Sequence, residues 1–548
     1  MRAALLAAFV MLSSEFEVEA RTLRWAAASD AVSLDPHTAD DESARALIYQ
    51  IYEGLTRIDE NRQPKPLLAR GWTVDETGLT WRFFLRAGVR FQDGRRLRAD
   101  DVVFSLERAL ALESPLAVDF RHVSEVSEAN DLVVKIVTSR PDALLPARLA
   151  SVMVVSRDWL IENDLAAKKA AQHGATADVP GDTNWRPDNV ANGTGPYKLV
   201  DRLVGISTTL VVNPDYWATP DAQPPELRQI EFLPMPMRTD RAWALDSGKL
   251  DMVFDPAGAE DKIQDRKPFA RVVDGETAQT LLLGFNTKSH IEDGPYGAVQ
   301  NPFVDPLVRR AIAKTVDAEA IRNVILGGKS LPSGLPIAPE VIGWADDLDQ
   351  RLSVDLEGAT ELLAEAGYEA GFATTLHCPA EGYQGSDAIC LAIMGMMAQV
   401  GIDVTIRRRP MDDHFALLRE GGASFFLLPW STTTFDSRQA LEALYHTADG
   451  TYGGVNFSGH SDADLDHLIR QLGATFDADQ AQELMADAWS RVLDDMVYVP
   501  LHHQINSWLV RKAFRVDADS TGLPFFTQAG YVTPVIGLDE IGLPPTGP

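Results

Sequence analysis

Apolar residues recur every three or four positions in several stretches of the chain, and this spacing predicts amphipathic helices. One such stretch covers residues 44–55 and another covers residues 99–110. Between them, residues 81–86 and 89–91 are rich in aromatic and branched side chains, which favour strands, and a short turn joins the two runs. The N-terminal third of the chain therefore predicts a mixed α+β unit.

Aspartates mark the start of two further helices. Asp305 is followed by Pro306, and proline fits the first helical turn because the N–H that it lacks would have no partner there. Asp317 precedes a second apolar repeat that stops at Gly327. We expect this second helix to bury Ile321, Val324 and Ile325.

A strand, a helix and a second strand follow one another later in the chain. Residues 372–377 are strand-like, apolar residues at helical spacing extend from Ile389 to Val400, and residues 402–406 return as a strand. Such a βαβ unit requires parallel strands with the helix packed on the sheet. The expected fold class is therefore α/β.

The size and charge of the chain limit its function. It has 548 residues, of which 45% are hydrophobic, so it is long enough for two or more domains. It carries 50 Lys and Arg against 79 Asp and Glu, a formal net charge of -29. We expect no nucleic-acid partner, because phosphate binding needs concentrated positive charge. The acidity suits solubility, and attraction of a cationic ligand is the alternative.

The N-terminus predicts export. Arg2 precedes an apolar run over residues 3–12, and permissive residues at 18–20 offer a cleavage point before Arg21, so we interpret residues 1–20 as a signal peptide. No later segment has the roughly 18 to 20 apolar residues of a transmembrane helix, and we expect a protein that is not embedded in a membrane. With no cysteine near the cleavage point, the sequence favours a free periplasmic protein.

Cys378 and Cys390 are the only cysteines. In an exported chain, this pair predicts one local disulfide, which would stabilise the fold by about 3 kcal/mol through loop closure. A metal site that includes His377 is the alternative, but it lacks a fourth nearby ligand and the usual paired spacing. We expect neither a metal nor another cofactor.

Motifs of the common catalytic types are missing from the sequence. It contains no Gly-x-Ser-x-Gly elbow, His-Glu-x-x-His helix or glycine-rich phosphate loop. His502 and His503 are neighbours on a predicted strand and therefore face opposite sides, so we expect one buried and one exposed histidine rather than a metal site. We interpret Asp462 and Asp464 as a helix cap, because they lack the glycine and distal glutamate of a calcium loop.

A candidate cleft wall lies where an apolar strand runs into an aromatic ring, three hydroxyls and a carboxylate. These residues are Trp430, Thr432, Thr433, Thr434 and Asp436. They could provide a solute with a stacking surface, hydrogen-bond donors and one charge. In the alternative interpretation, Trp430 is partly core and Asp436 caps a helix.

The most specific motifs are short runs in a fixed order along the chain: Pro66 to Trp72, Leu85 to Gly94, Ala99 to Ser105, Gly193 to Tyr197, Asn213 to Trp217 and Ala364 to Tyr368. Their order is more informative than any one of them. Together they resemble the family 5 extracellular solute-binding proteins, the receptors of bacterial ABC importers in the dipeptide, oligopeptide and nickel cluster. The resemblance covers nearly the whole chain after residue 20.

This resemblance implies a two-lobed clamshell of the α/β periplasmic-binding-protein type with an extra α+β subdomain. Lobe I would consist of residues 21–56, 193–285 and 507–548. The extra subdomain would be residues 57–192, and lobe II would be residues 286–506. A hinge motion would enclose the solute between the lobes, since the closed state has the higher ligand affinity.

The resemblance also implies which residues contact the solute. In the peptide receptors, an Asp shortly after the tryptophan that matches Trp430 pairs with the ammonium group of the peptide. This chain has Thr433 at that place and Asp436 three residues later. We expect Trp430 to stack on the solute, Thr432 and Thr433 to hydrogen-bond to it, and Asp436 to meet positive charge.

The predicted function is that of a non-catalytic periplasmic receptor. It would act as a monomer, capture a peptide-like or similarly sized polar solute, and deliver it to an inner-membrane ABC permease. Asp41 and Tyr383 are further candidate contacts near the cleft. An oligosaccharide, opine-like or metal-chelate solute is the alternative within this class, and an exported metal-dependent hydrolase is the alternative from another class.

Overall fold

The computed structural model describes residues 22–39, 41–111, 115–163, 190–218, 225–254, 269–288, 291–294, 297–380, 383–516, 530 and 531. The predicted signal peptide lies outside these ranges. Among the described residues, no helix is both long and apolar enough to cross a membrane.

The strands form one long mixed sheet and several small ones. In chain order they are β1 (Thr22–Ala27), β2 (Thr56–Ile58), β3 (Pro64–Pro66), β4 (Ala69–Val74), β5 (Thr80–Leu85), β6 (Val123–Asn130), β7 (Val133–Thr138), β8 (Tyr197–Leu203), β9 (Ser207–Val212), β10 (Gln229–Pro234), β11 (Met252–Phe254), β12 (Ala270–Phe285), β13 (Ile291–Gly294), β14 (Gly297–Gln300), β15 (Ser330–Pro332), β16 (Phe372–Pro379), β17 (Ile402–Arg409), β18 (Phe425–Ser431), β19 (Tyr498–Arg511), β20 (Phe514–Arg515) and β21 (Gly530–Tyr531). The long sheet has the order β17-β16-β18-β12-β19-β11-β1-β10-β9-β8, with β15 beside β19. A separate sheet has the order β4-β5-β7-β6.

The helices are mostly short, and several of them begin at an aspartate cap. They are Glu42–Ile51, Ala99–Ala111, Pro115–Asp119, Leu145–Arg148, Arg238–Asp246, Pro306–Thr315, Ala318–Ala320, Leu356–Glu365, Ser386–Ala398, Met411–Arg419, Ser437–Ala440, Ala463–Gly473 and Ala478–Asp495. The predicted caps are confirmed at Asp305, Asp317 and Asp462, whose side chains accept hydrogen bonds from backbone N–H groups of the first turn.

The predicted βαβ unit is confirmed. β16 and β17 pair in parallel from Phe372 opposite Ile402 to Pro379 opposite Arg409, and the helix Ser386–Ala398 connects them. This helix buries Ile389, Ile393 and Met397 against the sheet. The unit therefore follows the spacing of apolar residues that the sequence shows.

Separate cores lie at the two ends of the same long sheet. At one end, Trp25 packs against Phe232 and Trp508. At the other end, alternate residues of β12 enter separate cores, with Leu283 on one face and Leu282 on the other. Because side chains alternate along a strand, this sheet is covered on both faces there.

β12 and β19 carry the chain from one core to the other. In β19, Leu501 belongs to the core at one end of the sheet and Val510 belongs to the core at the other. The two strands pair in antiparallel fashion over most of their length, but their register shifts between Glu276 and Thr280. This arrangement is what a two-lobed molecule needs, and the lobe boundaries predicted from the sequence remain a proposal.

Three local predictions are wrong. Residues 89–91 form a tight loop, in which Phe91 N donates to Arg95 O, and β5 pairs with β4 and β7 instead. Val324 is 82% exposed, because the helix widens into a π-turn over Ile321–Ile325 and changes the side-chain spacing. His502 and His503 are both buried, since β19 is covered on both faces at this point.

Glu53 joins two of the sequence motifs. Its carboxylate accepts hydrogen bonds from Trp217 Nε1 at 2.7 Å, Thr194 Oγ1 at 2.7 Å and Tyr216 Oη at 2.8 Å. Burial raises the pKa of Glu53 to about 7, although these three donors favour the ionised form. The runs Gly193 to Tyr197 and Asn213 to Trp217 therefore serve the packing around one buried carboxyl group.

An ion network seats the extra subdomain on the predicted lobe II. Arg148 lies 3.1 Å from Asp142 and 2.5 Å from Glu442, and Arg140 lies 2.9 Å from the same Glu442 carboxylate. His122 Nε2 is 2.8 Å from Asp142. Burial opposes ionisation of Asp142, but Arg148 and His122 outweigh it and hold its pKa well below the usual value. At this contact between the two predicted parts, buried arginines pair with buried carboxylates, so that their charges compensate one another.

We predict that Glu53→Gln weakens the pH dependence of stability. A carboxyl group whose pKa is raised in the folded state binds a proton more tightly there, so its contribution is complete below pH 4.5 and is lost as the pH rises to about 7. The midpoint of urea unfolding should fall over this range in the wild type and fall less in the variant. Glu60→Gln, which neutralises an exposed carboxylate, should leave the slope unchanged.

We predict that Glu442→Gln destabilises the protein by about 3 kcal/mol, because it leaves buried arginine charge without compensation. The free energy of unfolding from chemical denaturation measures this loss. Glu483→Gln, an equal charge change at an exposed helix position, should cost less than about 0.5 kcal/mol. Equal stabilities of the two variants would show that the network contributes nothing to the seating of the subdomain.

Candidate functional site

The point where β12 and β19 lose register is lined by polar side chains. Thr277 Oγ1 donates to Gln504 O at 2.8 Å, and Gln279 N donates to Thr277 Oγ1 at 3.2 Å. Gln279 and Gln504 are half-buried. Amide and hydroxyl groups therefore replace apolar side chains where the two strands pass from one core to the other.

A chain of hydrogen bonds crosses this point from the predicted lobe II to the predicted lobe I. Gln384 N donates to Gln504 Oε1 at 3.4 Å, and Gln504 Nε2 donates to Asn506 Oδ1 at 3.2 Å. Asn506 Nδ2 in turn donates to Glu42 Oε1. Segments near residues 42 and 384 thus meet on β19, although they are far apart in sequence.

Asp41, one of the predicted contacts, lies beside this chain of hydrogen bonds and caps a helix. Its Oδ1 accepts from Ala44 N at 2.8 Å and its Oδ2 accepts from Val32 N at 3.1 Å. The cap holds the start of the helix Glu42–Ile51, and therefore Glu42, against β19. Direct contact between Asp41 and a solute stays a prediction.

Tyr383 lies beside Gln384, at the end of this chain of hydrogen bonds that is farther from Asp41. Its hydroxyl group donates to Ser386 O at 3.5 Å and lies 3.6 Å from Cys390 Sγ. Burial raises the pKa of this phenol well above its usual value. Cys390 forms a disulfide with Cys378, with 6.8 Å between their Cα atoms. The disulfide holds the end of β16 to the helix that carries the Tyr383 segment.

Trp430 lies at the end of β18, opposite Thr280 of β12. Its ring is half-buried and packs against the core that contains Leu282 and Leu428. Its Nε1 is buried and has no hydrogen-bond partner among the described residues. The indole therefore combines a core contact with a donor that no described residue accepts.

The loop after Trp430 is organised by Gln439. Thr432 is buried at 4% exposure and donates to Gln439 Oε1 at 2.7 Å, and Thr434 Oγ1 lies 3.0 Å from the same oxygen. Thr433 is exposed, and its backbone N–H donates to that oxygen at 2.9 Å. Of the two predicted hydrogen-bonding threonines, Thr433 is thus the one whose side chain faces solvent.

The Asp436 carboxylate makes its contacts within the protein. It is 2% exposed, caps the helix Ser437–Ala440 by accepting from Arg438 N at 3.0 Å, and forms an ion pair with the Arg438 guanidinium at 2.6 Å. This geometry agrees with the capping alternative that the sequence left open. A contact between Asp436 and positive charge on a solute stays a prediction.

The chemistry of this site suits binding. Among the described residues, no group of three or more His, Cys, Asp or Glu could hold a metal ion. Burial lowers the pKa of both His502 and His503 to about 4, so these histidines are neutral near pH 7. The side chains that meet β12 and β19 here are amides, hydroxyls, the Glu42 carboxylate and the Trp430 indole, which can hydrogen-bond to and stack on a polar solute.

Sequence reasoning missed several of these residues. Glu42, Gln384, Gln439, Gln504 and Asn506 lie in no motif. One signal could have indicated two of them, because Gln504 and Asn506 lie in the polar middle of a strand whose two ends are mostly apolar. Gln439 and Gln384 carry no such signal, since their partners come from distant parts of the chain.

Comparison with known proteins gives the family. A family model described as "Bacterial extracellular solute-binding proteins, family 5 Middle" matches residues 63–452, which is more than half of the chain. The glutathione-binding protein GsiB of Salmonella typhimurium is 24% identical over 483 residues, covering 87% of this chain and 88% of that protein. GsiB of Pectobacterium atrosepticum is 25% identical over 481 residues, covering 86% and 87%.

Solved structures have the same two-lobed fold, as the order of the motifs predicted. The periplasmic binding protein DppA of Helicobacter pylori, in complex with the peptide STSA, matches with a TM-score of 0.75 and 22% identity, over 94% of this chain and 99% of that one. AgaA of A. tumefaciens R10, in complex with agropinic acid, matches with a TM-score of 0.72 and 24% identity, over 90% and 94%. The chain belongs to family 5 of the bacterial extracellular solute-binding proteins.

Proposed function

We propose that this protein is a receptor that encloses a peptide-like or similarly sized polar solute where β12 and β19 pass between the lobes. The supporting observation is the convergence of Glu42, Gln384 and Trp430 on these two strands. Each comes from a different part of the chain: Glu42 and Gln384 contact Asn506 and Gln504 of β19, and Trp430 lies opposite Thr280 of β12. Together they bring polar and aromatic groups to this pair of strands. A site of this kind binds and releases its solute unchanged, and the receptor is non-catalytic.

Delivery to an inner-membrane ABC permease follows from the family. DppA is described as an ABC transporter-associated periplasmic binding protein. We infer the same compartment for this chain, with residues 1–20 as the signal peptide, and a monomer as the working unit. Closure of the lobes would present the loaded receptor to the permease, since ligand binding shifts the population toward the closed state.

The class of solute depends on the loop after Trp430. Thr433 is exposed where the peptide receptors of the family have an acid, so the chain offers a hydroxyl group where they offer a charge for an ammonium group. The relatives bind several kinds of solute, since GsiB is a glutathione-binding protein and AgaA holds agropinic acid. A glutathione-like peptide is our first candidate, and an opine-like acid is the second because Thr433 carries no charge.

The identity of the solute can be tested directly. The intact mass of protein purified without denaturation is measured under native conditions. The protein is then unfolded, and any small molecule that it releases is identified. Empty protein is then screened by thermal shift with glutathione, the dipeptide Met-Leu, agropinic acid and mannopinic acid, because a ligand of the folded state raises the apparent stability. A rise with none of the four would contradict both solute classes, and turnover of a bound compound would contradict the receptor function.

We predict that Trp430→Ala weakens binding of the solute about 10- to 100-fold, as loss of an aromatic anchor does at other binding sites. Trp430→Phe keeps a ring but removes the Nε1 donor, and should lose less affinity. Isothermal titration with the compound identified above measures both changes.

The matched control is Trp243→Ala, which removes an indole that is 58% exposed and lies on the helix Arg238–Asp246. It should leave affinity unchanged. Wild-type affinity in Trp430→Ala would show that this side chain has no role in recognition.

A further inference from the structure

Gln439 shares one amide oxygen among three consecutive threonines. The side chain is 2% exposed. Its Oε1 accepts from Thr432 Oγ1 at 2.7 Å, from Thr433 N at 2.9 Å, and from Thr434 N at 3.1 Å and Thr434 Oγ1 at 3.0 Å. An amide oxygen has two lone pairs, so the four donors share them, and they can do so only while the oxygen rather than the amide nitrogen faces the loop.

The other end of the same amide is held by the extra subdomain. Gln439 Nε2 donates to Asp119 Oδ2 at 2.7 Å and to Thr433 Oγ1 at 3.1 Å. Asp119 ends the helix Pro115–Asp119 and lies 320 residues from Gln439 in sequence. Because an amide has donors on one side and an acceptor on the other, the bond to Asp119 also determines where Oε1 points.

Asp119 in turn depends on the buried ion network. Its Oδ1 lies 3.6 Å from Arg148 Nη1, and Arg148 also contacts Asp142 and Glu442. A backbone bond from Ala143 N to Gly473 O at 3.0 Å joins the same two parts of the molecule. The Asp119 carboxylate therefore reaches Gln439 only when the extra subdomain is seated on lobe II.

We propose that Gln439 is a positioning residue that makes the order of the loop over residues 432–434 depend on the seating of the extra subdomain. With Asp119 in place, the amide is oriented and the three threonines share its oxygen. With Asp119 withdrawn, the amide can rotate and the loop loses its common acceptor. The inference rests on the proposed function in one respect, because this loop follows Trp430 and presents Thr433 to the solute.

Hydrogen exchange on the full-length, solute-free protein tests this coupling. Asp119→Ala removes the acceptor for Gln439 Nε2 but touches neither the Thr433 nor the Thr434 amide. We expect exchange of these two amides to become roughly tenfold faster, the effect of losing about one hydrogen bond's contribution to local stability. The Arg438 backbone N–H donates to Asp436 Oδ1 at 3.0 Å. Its exchange should keep the wild-type rate, and it provides an internal reference.

Two variants separate this coupling from general destabilisation. Asp119→Asn keeps an acceptor oxygen at the same place and should preserve the protection of Thr433 and Thr434. Asp131→Ala removes an exposed carboxylate of the same subdomain and should have no effect on the loop. Unchanged exchange at Thr433 and Thr434 in Asp119→Ala would overturn the proposal, and so would faster exchange that includes Arg438 equally.

The outcome does not depend on which solute binds, because none is added. Failure of the coupling would appear in the exchange rates of two amides. Failure of the receptor function would appear as an empty protein that no candidate solute stabilises. The two proposals can therefore fail separately.

Discussion

The continuity of β12 and β19 is the constraint on which the rest of the molecule depends. Each strand is anchored in two cores, so the lobes share one sheet and cannot separate as independent domains. Where the register of the strands shifts, the regular pattern of backbone hydrogen bonds between them is interrupted, and polar side chains such as Gln504 replace apolar ones. The proposed binding site lies at this interruption, because it is the point where both predicted lobes can contribute residues.

Buried charge plays a structural part around Glu53 and around Arg148. Glu53 is surrounded by donors from Thr194, Tyr216 and Trp217 and holds together segments of lobe I. Arg148, between Asp142 and Glu442, seats the extra subdomain. Breaking such a pair is costly because the remaining charge has no water to solvate it. The Glu53 site accounts for the polar side chains of the runs Gly193 to Tyr197 and Asn213 to Trp217.

The motifs predicted the fold more completely than they predicted the site. Helix caps such as Asp305 and the βαβ unit depend on neighbouring residues, so local spacing was sufficient. The burial predicted for Val324 was wrong because a π-turn changes the helical period. The prediction that only one of His502 and His503 is buried was wrong because segments distant in sequence cover both faces of the strand. Asp436 has a carboxylate suited to either capping or binding, and only the position of Arg438 shows that the protein itself engages it.

The sequence by itself determined the family, the α/β class, the helix caps and the pairing partners for a disulfide, because these follow from local spacing and from motif order. The tertiary structure decided which polar groups meet. Gln439 and Asp119, or Gln384 and Gln504, have no pattern that links them along the chain. Such contacts arise only when distant segments pack together, since a side-chain amide gains a partner from geometry and not from its neighbours in sequence.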